Sequence, residues 1–386
     1  MQMQSTVFHD FVKRLPWHVF DRLVQENGCD ELVRSFTTRH QLLAVLFGQL
    51  SGASSLRDIE TTMKSHAGLL HQAGAKVPAK STLADANRLR PAQLFVDLLA
   101  HVMKSAQRKA RQTAREAIRL IDSTSLPLAG PGTKWAYFSS LTCGAKAHFV
   151  YDPTQEMPVF LSMSPANIND ITAAKKMPIE NGATYVFDLG YYDYGYWAEL
   201  DARDCRIVTR FKTNTPLCKA RDLPLDPANT SEIKSDRIGF LPARQAKNRQ
   251  NPMQAAVREI QVVIPTGKTL RLLTNDLDSP AQEIADLYRM RWEIELYFRM
   301  MKQTLKIRHF LGRSENAVQI QIAVAAIAYC LLRGVQNSSE DELSFLETIR
   351  LVRSNLMFRK DSTSLRRPKP KSPVDSKQLQ LCLNMT

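Results

Sequence analysis

One stretch constrains this chain more than any other. It runs from Ser279 to Lys306 and reads S-P-A-Q-E-I-A-D-L-Y-R-M-R-W-E-I-E-L-Y-F-R-M-M-K-Q-T-L-K. Ser279 is expected as an N-cap, Pro280 suits the first helical position, and Gln282 completes a capping-box pattern. No Gly or Pro follows, so the stretch predicts one long helix. At about 100° per residue, Leu287, Met290, Ile294, Tyr297, Phe298, Met301 and Leu305 share an apolar arc that must face a core. Tyr288, Arg291, Glu295, Arg299, Lys302 and Lys306 share a second stripe, roughly 80° wide. One carboxylate and one phenol among four cations have two readings. They are a solvated face of weak surface pairs, or a metal-binding carboxylate set in a phosphate-binding surface.

The rest of the composition bears on that choice. A net charge of +14 over 386 residues favours a polyanionic partner, most commonly nucleic acid. The length allows two or three domains with ample core. Six cysteines (Cys29, Cys143, Cys205, Cys218, Cys330, Cys382) form no C-x-x-C pair. They are expected as reduced thiols in a cytosol, not as a zinc site or a disulfide framework. The first ten residues lack the apolar run of a signal peptide. Val318 to Val335 is strongly apolar, yet it contains Gln319, Gln321 and Arg333, which suits a buried helix and not a membrane span.

Residues 1–110 have helical spacing throughout. Ser55-Leu56-Arg57-Asp58 resembles a capping box, and Thr82 to Asp85 is expected to open a short helix carrying Arg88 and Arg90. A helix-turn-helix DNA reader and a plain helical bundle fit this pattern equally. A following basic run, Arg108, Lys109, Arg111, Arg115 and Arg119, is either a phosphate rail or a solvated face.

From Ala117 the texture turns to strands. Ile118 to Thr124, Lys146 to Tyr151 and Val159 to Met163 come first, then a helix from Asn169 to Met177. A strand from Thr184 to Gly190, a helix from Tyr192 to Asp201 and a strand from Arg206 to Lys212 follow. This order predicts an α/β fold with a mixed sheet, compatible with a ribonuclease H-like core at 111–212 and 266–335. Residues 213–265, polar and basic, are expected as a β-rich insertion. Residues 361–386 are expected as a basic, disordered tail.

Asp122 and Asp188 both close apolar strands, and Glu295 lies on the long helix. Strand-end aspartates become neighbours when their strands lie side by side, and a helix carboxylate can complete a hard-oxygen site. Mg²⁺ prefers carboxylate, water and phosphate oxygens. Two such ions about 3.5–4 Å apart serve phosphodiester chemistry. An aspartate after a strand is also a common turn or cap residue, so spacing alone leaves both readings open. Ser125 and His148 form no recognisable triad with the other aspartates. Gly130-Pro131-Gly132 lacks the Lys-Ser/Thr of a phosphate loop. His66, His71 and His101 fit surface or core positions.

Tyr288-x2-Arg291-x3-Glu295-x6-Lys302 resembles the Y-R-E-K signature of the DDE transposases of bacterial insertion sequences, in the branch called insertion sequence four. Ile121-Asp122-Ser123-Thr124 and Phe187-Asp188-Leu189-Gly190-Tyr191 resemble the blocks around its first two acids. Gly144-x-Lys146-x-His148 and Asn169-Asp170 resemble weaker blocks between them. Gln49 to Gly52, Ile59-Glu60 and Ser81 to Asn87 resemble the amino-terminal helical domain of some members. Leu189 stands where relatives often carry a basic residue, and Asn169 where they often carry His.

The resemblance implies a ribonuclease H-like catalytic core with Asp122, Asp188 and Glu295 as metal-binding triad. It implies a β-strand insertion between the last two acids. Tyr288, Arg291 and Lys302 would contact the DNA backbone near the cut end, with Arg299 and Lys306 on the same stripe. The implied activity is transposition. A phosphodiester is hydrolysed at the element end, and the freed 3′ hydroxyl then attacks DNA. Two Mg²⁺ ions serve both steps, with Mn²⁺ as a substitute. Relatives can release the element through a hairpin on its end. The implied partners are double-stranded DNA, as terminal inverted repeats and as target, and a second copy in a homodimeric synaptic complex. No membrane is expected, and the expected location is the bacterial cytoplasm, at the nucleoid. A domesticated, non-catalytic DNA-binding regulator and a Mg²⁺ nuclease without strand transfer are the other readings.

Overall fold

The computed structural model describes residues 5–365, except 111–116, 131, 140–141, 226–231, 245–248, 306, 308–309, 340–341, 360–361 and 363–364. The expected basic tail therefore lies almost wholly outside the described residues.

Seven helices open the chain: α1 (Val7–Lys13), α2 (Trp17–Glu26), α3 (Thr38–Ser51), α4 (Leu56–Ser65), α5 (Ala67–Gln72), α6 (Lys80–Leu89) and α7 (Gln93–Ala110). Their ends follow local chemistry. Thr37 and His40 make a reciprocal capping box at α3, and Gly52, at φ 76°, closes it in the left-handed region. Ser55 accepts from the Asp58 N–H to start α4 as expected. Helix α6 begins two residues before the expected Thr82 and has no side-chain cap. Of the two basic residues expected on it, Arg88 is exposed and Arg90 is its C-cap. Arg90 is buried, donating 3.1 Å to Gln41 Oε1 and pairing 3.6 Å from Asp30, so it is a core strut and not a DNA-facing base.

Ten strands follow among the described residues: β1 (Ile118–Leu128), β2 (Tyr137–Ser139), β3 (Thr142–Asp152), β4 (Met157–Pro165), β5 (Thr184–Phe187), β6 (Arg206–Arg210), β7 (Cys218–Asp222), β8 (Ile233–Phe240), β9 (Val257–Val263) and β10 (Thr269–Thr274). Helices α8 (Asp170–Ala174) and α9 (Tyr194–Asp201) flank β5. The strands form one sheet in the order β2-β3-β1-β5-β6-β10-β9-β8-β7, with β4 on β3. Strand β3 is antiparallel to β1 and β4, whereas β1, β5 and β6 run parallel. The order β4-β3-β1-β5-β6 is that of a ribonuclease H-like core. The strands after β6 extend the same sheet, because β10 pairs antiparallel with β6 and carries β9, β8 and β7 outward.

Alternation along the strands loads both faces. Leu120, Phe149, Val186 and Val208 face a core shared with the amino-terminal helices and with α10 (Ala281–Gln303), α11 (Glu315–Ser338) and α12 (Phe345–Asn355). Ile121, Val150, Tyr185, Phe187 and Ile207 face the opposite core, filled by Trp197 and Tyr196 of α9. Helix α11 is the apolar segment; 83% of its most apolar window is buried in the protein. Arg119 departs from the rail reading. It is 4% exposed and donates 2.8 Å to Asp152 and 2.8 Å to Glu180, so it ties β1 to its surroundings. The side chains of the rest of that run lie outside the described residues.

The long helix is present, but its start differs from expectation. Its N-cap is Pro280, without a side-chain hydrogen bond. Asp276 holds Ser279 instead, accepting from its backbone N–H at 2.9 Å, and Gln282 reaches Glu232 and Asp286.

Candidate active site

Asp122 and Asp188 are brought level by strand register. Strands β1 and β5 run parallel with Leu120 opposite Val186, and two further steps along each chain reach the two aspartates. Neighbouring strands lie about 4.8 Å apart. Asp188 stands just past β5, where its side chain accepts 2.8 Å from the Gly190 N–H. Asp122 remains inside β1 and accepts 2.7 Å from the Ser123 N–H. Helix α10 packs across β1, β5 and β6. Its apolar arc is buried as the wheel requires, with Ile294, Tyr297 and Met301 at 0–3% exposure. That rotation turns Glu295 towards the aspartates.

Arg291 joins the two elements. Its Nη1 lies 2.8 Å from Glu295 Oε1 and 3.5 Å from Asp122 Oδ2, and its side chain is 13% exposed. A concavity of about 450 Å³ opens beside this pair, lined by Asp122, Ser123, Glu295, Arg299 and Lys302 among others. Tyr288 is buried at 8% exposure under the Arg291 guanidinium, 5.8 Å from its ring. Desolvation pushes its phenol up, against the pull of Arg291 and Arg210. Lys306 lies outside the described residues.

The electrostatics fit a site short of positive charge. Burial pushes the Asp122 carboxyl up to about 7. The Ser123 N–H and Arg291 pull it down, while the Asp188 and Glu295 charges raise it further. Among the described residues no three His, Cys, Asp or Glu side chains stand as a ready metal cage. Arg291, held between Asp122 and Glu295, occupies the position of a counter-cation. The donor set is carboxylate alone, the chemistry that suits a hard divalent ion.

Asp170, Lys146 and His148 fall in the two weaker family blocks, and the fold joins them in a cluster that the sequence did not assign to the site. Asp170 Oδ1 accepts 2.7 Å from Ser123 Oγ and pairs 3.1 Å from Lys146 Nζ and 3.7 Å from His148 Nδ1. His148 Nε2 lies 2.8 Å from Ser164 Oγ. His148 lies near Asp170 because antiparallel β3 and the turn before α8 bring them together, but at 3.7 Å its Nδ1 makes no hydrogen bond to the carboxylate. Burial lowers the His148 imidazole to about 4. The alternation of Lys146 and His148 along one strand face was the available signal. Beside the acids, Trp292 and Leu296 are 59% and 53% exposed on α10.

A second concavity of about 520 Å³ lies past β5 and β6, lined by Tyr192, Tyr194, Lys212, Thr215, Arg244 and Arg249 among others. Its wall at 212–215 is fixed by Arg271, which donates 2.7–3.1 Å to the carbonyls of Lys212, Thr213 and Thr215. The fully buried Glu259 carboxylate anchors Arg271 in turn at 2.7 Å.

Comparison with known proteins gives the family. Residues 113–331 match the model described as the transposase DDE domain. The chain belongs to the DDE transposase family. Residues 3–76 match a domain of unknown function (DUF4372). A transposase of Sinorhizobium fredii, y4zB, is 38% identical over 77% of this chain and 82% of its own length. A transposase for insertion sequence element IS5377 of Geobacillus stearothermophilus is 26% identical over 70% and 72%. The Escherichia coli transposase InsG of insertion sequence element IS4 is 34% identical over 24% of each chain. This DDE transposase is an enzyme of DNA transposition, and its family works by DNA cleavage and strand transfer with divalent metal.

Proposed function

We propose that Asp122, Asp188 and Glu295 are the catalytic acids of this transposase and hold its divalent ions, Mg²⁺ or Mn²⁺. The observation that carries this is the β1–β5 register, which sets Asp122 level with Asp188, together with the Arg291 bridge to Glu295. Bound ions would stabilise the attacking and leaving oxygens of phosphodiester exchange. The chain's own groups do the rest. Arg291 neutralises the acids until the ions arrive and then has its guanidinium available for a phosphate. Arg299 and Lys302, on the rim of the acidic concavity, hold the DNA backbone. The Tyr288 phenol supports Arg291 from beneath. Lys212, Arg244 and Arg249 carry the positive surface past the sheet edge, where Tyr192 and Tyr194 add aromatic faces suited to nucleic acid.

The substrates are the terminal inverted repeats of the element and a target duplex, brought together by two copies of the chain in the bacterial cytoplasm, at the nucleoid. Residues 1–110 are assigned to DNA binding, with Lys80 and Arg88 of α6 on the surface. The test is a cleavage and joining assay on a duplex of the element's own end. Asp122→Ala, Asp188→Ala and Glu295→Ala should each abolish cleavage while end binding persists. Cleavage surviving one of them removes that residue from the site. Cleavage without joining of a pre-cut end leaves a nuclease.

A further inference from the structure

Asp170 lies in the first turn of α8, where an acidic residue would ordinarily do no more than favour a helix start. Its bonds reach much further. Oδ1 accepts 2.7 Å from Ser123 Oγ on β1, and Ser123 is the residue whose N–H holds Asp122. The same oxygen pairs with Lys146 Nζ on β3 at 3.1 Å, and Lys146 also donates 3.0 Å to the Ile168 carbonyl. The turn that carries Asp188 presses on the other side. A Cβ added to Gly190 would lie 3.0 Å from Asp188 Oδ1 and 3.2 Å from Asp170 Oδ2. A side chain there would crowd both carboxylates, which would have to shift by a few tenths of an ångström. The fully buried Tyr191 phenol sits in the field of Asp122, Asp170 and Asp188 together.

We infer that Asp170 is a positioning residue that fixes the Asp122 strand and the Asp188 turn against each other, with Lys146 as its built-in counter-ion. A bare third carboxylate would add repulsion to an acid pair that already repels. Lys146, at 14% side-chain exposure, cancels that charge at the point of contact. Groups that orient first ligands in this way are typically worth about 10–100-fold in metal affinity or activity.

The inference rests on the proposed metal-binding role of Asp122 and Asp188, and its test separates the two. Mn²⁺ binding to the full-length protein on a duplex of the element's end is followed by electron paramagnetic resonance, beside melting temperature, end affinity and cleavage rate. Asp188→Ala should remove the bound Mn²⁺; an unchanged Mn²⁺ signal there overturns the metal reading itself. Asp170→Asn should keep end affinity but weaken Mn²⁺ binding and cleavage together by about 10–100-fold. Ser123→Ala, read in protein of wild-type melting temperature, removes the hydroxyl tether and should weaken both in the same direction. In Lys146→Gln the uncompensated Asp170 charge should impair Mn²⁺ binding, and adding Asp170→Asn should cost less than the two single losses combined. Wild-type Mn²⁺ affinity in both Ser123→Ala and folded Asp170→Asn, with Asp188→Ala still deficient, would overturn the positioning role.

Discussion

Arg291 Nη1 lies 2.8 Å from Glu295 Oε1, one turn along the same helix, and the same nitrogen reaches Asp122 at 3.5 Å. A cation in that place lowers the proton affinity of Asp122, which burial and the other two acids raise. Arg291→Ala removes that pull. Without divalent ions, the Asp122 carboxyl should therefore ionise at higher pH in the variant, read by carboxylate infrared absorption against Asp122→Asn. An unmoved titration would mean that Arg291 does not act on Asp122.

The same carboxyl should weaken the fold. The folded pKa of Asp122, about 7, lies above its ordinary 3.8. The folded protein therefore holds the proton more tightly, and this stabilisation is complete below 3.8 and lost as pH rises through about 7. Asp122→Asn should be more stable than wild type at pH 8 without divalent ions, by on the order of 3–4 kcal/mol, with the gap closing on acidification. Denaturant unfolding at pH 5 and pH 8 measures it. A pH-independent difference would show that the shift is not there.

Lys302 lines the acidic concavity from the last turn of α10. If it meets a phosphate, Lys302→Ala should weaken end binding and reduce the slope of log affinity against log salt by about 0.9. The reduction should be the same for end and random duplexes. An unchanged slope removes the phosphate contact.

Arg119 and Asp152 are each 5% exposed in side chain and lie 2.8 Å apart. Asp152→Ala leaves a buried guanidinium with the partly exposed Glu180 and the Ile118 carbonyl. It should cost about 3–5 kcal/mol in urea unfolding. A loss under about 1 kcal/mol would show that the pair is solvated.

How far the sequence reaches can be argued from α10 and from the Asp170 cluster. The wheel on 279–306 set most of the buried arc correctly, because core burial fixes helix rotation, but Tyr288 of the polar stripe is buried with it. Helix starts were less legible. Ser279 has the right chemistry for an N-cap, yet Asp276 captures it first. Arg90 and Arg119 are basic residues that the sequence leaves on a surface, and the fold buries them against partners distant in sequence. Which cations face outward depends on tertiary pairing. Asp170, Lys146 and Ser123 stand in separate family blocks, and they meet only through β1–β3 pairing and the turn before α8, so the blocks mark the residues but not their contact. Asp188 was legible as a strand end, whereas Asp122 does not end its strand, because pairing with β3 carries β1 on to Leu128; their alignment needed the register of two parallel strands.

The most direct measurement is a crystal structure of the transposase on its element end with Mn²⁺, read by anomalous scattering. Manganese should appear against Asp122, Asp188 and Glu295, with Arg291 swung out of its place between Asp122 and Glu295. Ions bound elsewhere in a crystal whose protein still cuts DNA, with Arg291 unmoved between the two acids, would contradict the account.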